Sequence, residues 1–527
     1  MSKKPTVFLR EATGLVREIS WFNVFTFTAT TIGFQFSFYY AASLAPLIGG
    51  NLLIGILMMA IGLAVVIIGY TTLISVMPRS GGDYVYNSRL LHPLIGFVGN
   101  MVFVIVALLF AAINSETIES TGLSQLFAYW GVIYHNSYFL ALSSSVASLS
   151  SIFVLGTIWI ILGAVVAVFS VRSYFRLQNL LFVVVVVGIL SMIAALIPLT
   201  QPGFVSSFNQ FVSQYNGTPG DYYHSVISDA QKSGWSIPDQ TSLWGGLLLY
   251  PILAIIGFNN TAAQLGGEIR QAKRSFFIGS LLGALYWLIP FSLILLLVYN
   301  TVGFNFMSSI DYLLYNAPSM NPLPATPYIN LIIASATTPI LGSLIIVAGL
   351  VQLFIYVPSE YLFASRAFFA YSFDGLFPKQ FADVSERTHG PVKSIILAAI
   401  TTFVLYVIIN LPQSSSYAYL FGSVASWLVT IPIIFVGISM MVLPWRRPHL
   451  AAGAPIRGPA LVGVGALILV FMGVVDYLLL SQAVYGANTP IAIELAVGVL
   501  AVLVIIYVVR RLTNPAVALA FKEIPPE

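Results

Sequence analysis

The chain has 527 residues, of which 58% are apolar and only 8% charged, with a net charge of +4 and no cysteine. A soluble globular domain carries about a quarter of its residues as charges, so this composition excludes one and describes a membrane protein. It also excludes disulfides and thiolate metal sites. The small positive balance, gathered beside apolar runs, points to membrane orientation rather than to nucleic-acid binding.

Residues 1–19 are polar and basic, with Lys3, Lys4, Arg10 and Arg17. They lack the short apolar core and small-residue cleavage site of a secretory signal, so the first apolar run is expected to be retained as span 1. Runs of about 20 apolar residues match a hydrocarbon core of about 30 Å. They predict twelve spans: 20–46, 52–77, 93–115, 152–170, 178–199 and 243–266, then 276–300, 331–362, 392–411, 416–444, 459–481 and 490–511. The Ser-rich segment 116–151 and segment 200–242, with its Asn, Gly, Pro and aromatic residues, are predicted as outer loops, and neither resembles a catalytic domain.

The basic residues test this count. With a cytoplasmic N-terminus, every Lys and Arg except Lys232 falls before span 1, in alternate loops or at the span ends bordering them (Lys393), or at and after the end of span 12 (Arg510, Arg511, Lys522). That asymmetry is the positive-inside pattern, and one missed span would scramble it. Both termini are therefore expected in the cytoplasm, with the chain a multi-pass protein of the cell membrane.

Two spans are unusual at their centres. Span 1 contains IGFQF, with Gly33 beside Gln35. Span 6 contains IIGFNNTAAQLGGE, with Gly257 beside Asn259 and Asn260. A lone glycine in a membrane helix indicates close packing, but an amide beside it is costly against lipid. The two interruptions recur at an interval of five spans. Glycine-interrupted helices at matching positions of two halves point to an inverted-repeat transporter whose site lies at the bilayer midplane. The expected layout is a first repeat over 20–199, a loop over 200–242, a second repeat over 243–444, two extra helices over 459–511 and a tail over 512–527. Where a helix opens, its N–H groups attract a carboxylate and its carbonyls attract an amine, so a zwitterion suits both ends.

Four segments carry a family likeness: the glycine break of span 1; PRSGGDYVYNSR (78–89), which is similar to P-x-x-G-G-x-Y-x-Y; GGEIRQAKR after span 6, which is similar to G-E-x-x-x-P-x-R; and SRAFFAYSFDGLFPKQF (365–381) after span 8. Together they resemble the amino acid, polyamine and organocation superfamily, in particular its amino acid permeases. The resemblance implies an all-α polytopic fold of 12 transmembrane helices. These would form a 5+5 inverted repeat with discontinuous helices 1 and 6, plus two extra C-terminal helices. It implies that backbone N–H groups of Gly33, Phe34 and Gln35 hold a substrate carboxylate, and that carbonyls around Ile32, Ile255, Gly257 and Phe258 meet the amine. Apolar bulk at Phe34, Phe36 and Phe258 suits an aromatic lid, a cavity with room for an apolar side chain, or core packing.

The chain departs from the family pattern in several places. Gln35 replaces the second glycine of G-x-G, and neutral Asn259 stands where an acid is common. One extra residue precedes Glu268, and Ala272 replaces the proline. The span 5 lysine that stands in for sodium in some proton-coupled members is missing from 178–199.

Ionisable residues inside spans are candidates for function. Glu268 is expected to gate the inner side with Arg17 or Arg89, or to form a structural ion pair. Glu360 is expected to pair with Arg366 or another basic loop residue, with a proton relay as the competing role. Asp476 is expected in an interhelical or subunit contact, and Glu116, Glu119 and Glu494 near the outer boundary are expected to be hydrated. All five histidines fall in predicted loops, and H-E-x-x-H, G-x-S-x-G and Walker A sequences are absent, which disfavours an intramembrane enzyme. The expected activity is amino acid transport by alternating access with a proton as coupling ion. Exchange, or transport of polyamines or other amines, is the runner-up, and a channel is the alternative of a different class. No cofactor or metal is expected, and the partners are the substrate, the coupling ion and the bilayer.

Overall fold

The computed structural model describes residues 15–32, 34–257, 261–411, 418–514 and 517. Expectations resting on Gly33, Phe258, Asn259 and Asn260 lie outside these residues. The first half contains α1 (Trp21–Thr31), α2 (Phe34–Ile48), α3 (Leu52–Val76), α4 (Gly82–Leu90), α5 (Pro93–Thr117), α6 (Ser124–Ile133), α7 (Ser137–Val146), α8 (Leu149–Ala167) and α9 (Val171–Leu196). Next come α10 (Gln201–Asn216) and α11 (Tyr222–Lys232). The second half contains α12 (Leu243–Leu248), α13 (Tyr250–Gly257), α14 (Ala272–Val298), α15 (Phe304–Asn316), α16 (Ile329–Ala334), α17 (Pro339–Phe373), α18 (Val392–Ile409), α19 (Ala418–Leu428) and α20 (Thr430–Arg446). The chain continues with α21 (Pro448–Gly453), α22 (Pro459–Ser481) and α23 (Pro490–Thr513).

Helix starts follow local chemistry. The side chains of Asn51, Ser148, Ser170 and Thr489 accept from backbone N–H groups two or three residues on, capping α3, α8, α9 and α23. Proline opens α5, α17, α22 and α23, where its missing N–H and fixed φ are tolerated.

Among the described residues, 10 helices are long and apolar enough to cross a membrane, and they fall on ten of the predicted runs. The two other runs, 20–46 and 243–266, are split into shorter pieces. Three expectations need correction. The run 331–362 is not one span: α16 ends at Ala334, and α17 starts afresh at Pro339 behind the Thr338 cap. The segment 116–151 is not a loop, because α5 continues through a π-helical turn (Ile118–Leu123) into α6 and is followed by α7. Segment 200–242 likewise forms α10 and α11, closed at Asn216 by Gly217 in the left-handed region, with φ 71°.

The 35-residue α17 is the central element, packed on α5, α8, α9 and α18. Every residue from Ile355 to Ser372 is buried, as a helix enclosed on all sides requires. α1 lies against α14 through Gly279 and Gly283, where a Cβ would come within 2.5 Å of Val24 Cβ and 2.7 Å of Thr28 Cγ2. Small residues four apart allow this close backbone approach. α13 lies against α3, with Gly55 admitting Leu249 at 2.8 Å from the position of a Cβ. α23 shows Val497, Val502 and Ile505 on its outer side, more than half exposed, as a lipid-facing helix would.

Candidate functional site

α1 stops in a threonine-rich stretch. The hydroxyls of Thr30 and Thr31 donate back to the carbonyls of Thr26 and Phe27, each at 2.8 Å, and Ile32 caps the helix in a turn before α2 starts at Phe34. Side-chain hydroxyls that bond the preceding turn are slightly unfavourable for a helix and often bend it. Ile32 is 3% exposed, so this helix end is inside the protein.

Two buried amides converge on it. Gln352 from α17 donates through Nε2 to the Thr30 carbonyl at 3.0 Å, and Gln178 from α9 donates to Thr30 Oγ1 at 3.3 Å. Their Oε1 atoms make no hydrogen bond among the described residues. A buried amide with its donor committed and its acceptor unbonded is poised for a further donor. Asn179 extends the seam, accepting from Thr26 Oγ1 at 2.7 Å and donating to Asn23 Oδ1 at 3.2 Å. Sequence reasoning missed both glutamines, although each is an amide set among apolar residues, as in GLVQLFIY and RLQNLL.

The second interruption follows α13. The α-helix ends at Gly257, and the chain resumes as 3-10 turns over Thr261–Gln264 and Gly266–Glu268. Phe34 and Gln35 thus open α2, while Ile255 and Gly257 belong to the last turn of α13. The segment after 261 is clamped from two sides. Ile19 N–H donates to the Glu268 carbonyl at 3.0 Å and Arg270 N–H to the Ile19 carbonyl at 2.9 Å. Gly81 N–H donates to the Gln264 carbonyl at 3.0 Å. Gly81, with φ 100°, faces Ala370, whose Cβ would lie 2.6 Å from an added one.

Charged groups lock this layer. Arg366 donates through Nε and Nη2 to the two oxygens of Glu268 at 2.8 and 2.9 Å, both side chains being almost fully buried. Arg89 forms a second buried fork to Asp374 at 2.7 and 2.8 Å, and Tyr84 OH donates to the same carboxylate. Burial works against the Arg89 charge, but Asp374 outweighs it and holds the guanidinium above its ordinary value. Asp83 Oδ1 accepts from Gln264 Nε2 at 2.6 Å and from Asn100 Nδ2 at 3.0 Å. Burial pushes the Asp83 carboxyl up to about 7, against the pull of its own backbone hydrogen bond and of these two amides. Tyr371 OH completes the chain by donating to Asn100 Oδ1. The segments PRSGGDYVYNSR and SRAFFAYSFDGLFPKQF therefore meet in space.

The expected pairings differ. Glu268 pairs with neither Arg17 nor Arg89: Arg89 is committed to Asp374, and Arg17 is exposed, its carbonyl accepting from Arg270 Nε at 3.0 Å. Arg366 lies about 9 Å from Glu360 along the axis of the same helix; its fork is committed to Glu268, and the remaining guanidinium nitrogen, Nη1, goes to Ser365 Oγ. Glu119 is not hydrated but 0% exposed, because the helical continuation of α5 carries it inside against α8 and α17. Glu494 is exposed. Asp476 accepts from Thr430 Oγ1 at 2.7 Å, an interhelical contact between α20 and α22.

A family model described as amino acid permease matches residues 19–509. No curated protein matches the chain.

Proposed function

The chain belongs to the amino acid permease family, and from that premise we propose that it is a secondary transporter moving amino acids by alternating access. At the coarser level it is a multi-pass membrane transporter of small molecules, as its family and its apolar helices indicate. One observation carries the finer reading: α1 ends inside the protein at Ile32, with the amides of Gln178 and Gln352 converging on Thr30. In the proposed complex, N–H groups of Gly33, Phe34 and Gln35 bind the substrate carboxylate. Carbonyls near Ile32, Ile255 and Gly257 receive the ammonium, with Phe258 and Asn259 adjacent. The acceptor oxygens of the two glutamines add to that ammonium subsite.

Contacts between the halves support the inverted repeat. Exchanging the halves turns the α1–α14 pair into α13–α3 and the α17–α8 pair into α5–α18, and all four pairs touch. Twelve spans with cytoplasmic termini follow from the distribution of Lys and Arg. Glu268 and Arg366, with Arg89 and Asp374 beside them, act in this proposal as an inner gate that releases the 261–270 segment on opening. A proton is the proposed coupling ion, supported by the buried carboxyl groups of Glu119 and Glu360; α9 contains no lysine, so the coupling does not run through a lysine there.

The test is reconstitution into liposomes with labelled amino acids, imposing pH and sodium gradients separately. Saturable uptake with trans-stimulation, driven by the pH gradient, is expected. Flux linear in concentration without trans-stimulation would indicate a pore, and uptake driven only by sodium would refute the proton. Gly33→Val should abolish uptake while the protein still reaches the membrane, because a β-branched side chain blocks approach to the backbone.

A further inference from the structure

Away from the proposed transport path, a groove of about 660 Å³ opens where the end of α3, the segment preceding α1 and the start of α14 meet. Its rim is cationic, formed by Arg17, Lys273 and Arg274, all exposed and none in an ion pair among the described residues. Its wall is apolar, with Ile68 on α3 and Phe277 on α14, the latter 41% exposed. From Ile68 to Ser75 that wall runs about 10 Å along the helix axis.

Two features of the groove call for a ligand. Gln271 provides no side-chain cap for α14, and the first turn contains no acid, so Lys273 and Arg274 stand unneutralised at the positive end of the helix dipole. Independently, Thr71 in the wall is 6% exposed, and its hydroxyl has no hydrogen-bond partner among the described residues. A buried hydroxyl without an acceptor is costly unless something supplies one.

We propose that the groove binds a diacyl phospholipid with an anionic headgroup. The phosphate lies among Arg17, Lys273 and Arg274, a glycerol ester carbonyl accepts from Thr71, and an acyl chain follows Ile68 and Phe277. A free phosphate would satisfy the rim alone. A choline headgroup would bring a fourth cation to three. An anionic lipid alone matches both the charge and the apolar wall.

The test uses the full-length protein in detergent, following thermal unfolding during titration with dioctanoyl phosphatidylglycerol, dioctanoyl phosphatidylcholine or glycerol phosphate. Phosphatidylglycerol should stabilise saturably, and the other two should not over the same range. Lys273→Gln with Arg274→Gln should weaken phosphatidylglycerol binding by about fivefold per cation removed. Lys379→Gln with Arg446→Gln, an equal loss of exposed charge elsewhere, should leave it unchanged. Thr71→Val, which keeps the shape and removes the hydroxyl, should also weaken it. Equal stabilisation by phosphatidylcholine, or by glycerol phosphate, would overturn the proposal in the unaltered protein. Equal weakening in the control pair would reduce it to diffuse surface charge and overturn it as well.

Discussion

Replacing Asp83 by asparagine isolates one buried carboxyl in the layer that seals the segment after α13. Oδ1 accepts both hydrogen bonds, from Gln264 and Asn100, while Oδ2 has no partner among the described residues. Asparagine keeps the acceptor and removes the titrating group, while its NH2 in place of Oδ2 adds an offset that does not vary with pH. With its carboxyl pushed from 3.8 up to about 7 in the folded protein, Asp83 holds a proton that the unfolded chain has lost. Its contribution to stability is therefore fully present below about pH 4, declines as pH rises towards 7, and is gone above it. Each tenfold change in proton affinity is worth about 1.4 kcal/mol, so the whole decline amounts to roughly 4 kcal/mol. Thermal unfolding by tryptophan fluorescence between pH 4 and pH 8 measures it, comparing Asp83→Asn with the unaltered protein so that other carboxyls cancel. The variant should gain relative stability steadily from pH 4 to pH 7 and then level off. A difference that is constant across that range would refute the reasoning.

Glu268→Gln leaves the buried Arg366 guanidinium without its counter-charge and should cost about 3–5 kcal/mol, read as a lower unfolding temperature. Adding Arg366→Met should restore part of the loss. Gln352→Leu removes the donor to the Thr30 carbonyl and should raise the substrate concentration for half-maximal uptake about tenfold, consistent with about 1–3 kcal/mol for an orphaned buried group. The variant should still unfold cooperatively, and unchanged substrate dependence would remove Gln352 from the site. Gly283→Leu drives a side chain into Thr28, which sits 2.7 Å from the Cβ position, and should destabilise by about 1–3 kcal/mol by overpacking. Uptake should fall with it, because α1 is displaced.

Hydropathy and charge pattern are properties of consecutive residues. The sequence alone therefore determined that the chain is a helical membrane protein, where nearly all its membrane-length helices lie, and that runs 20–46 and 243–266 are interrupted. A glycine beside an amide in an apolar run is a local signal, and the segmentation at Ile32 and Gly257 follows it. Helical content in 116–151 and 200–242 was not legible, since serine, asparagine and glycine weaken the apolar period although α10 still turns Phe204, Phe208 and Phe211 inward.

Only the tertiary structure decided partners. Arg366 reaches Glu268 across 98 residues of sequence and Arg89 reaches Asp374 across 285, distances over which no periodicity carries information. The partners expected for Glu268, Arg17 and Arg89, lost because Arg17 is exposed and Arg89 is held by Asp374. The glutamines at the end of α1 likewise acquired a role only when α9 and α17 packed against it. Burying a charge or an amide demands a partner wherever packing can supply one, and packing is a property of the folded chain.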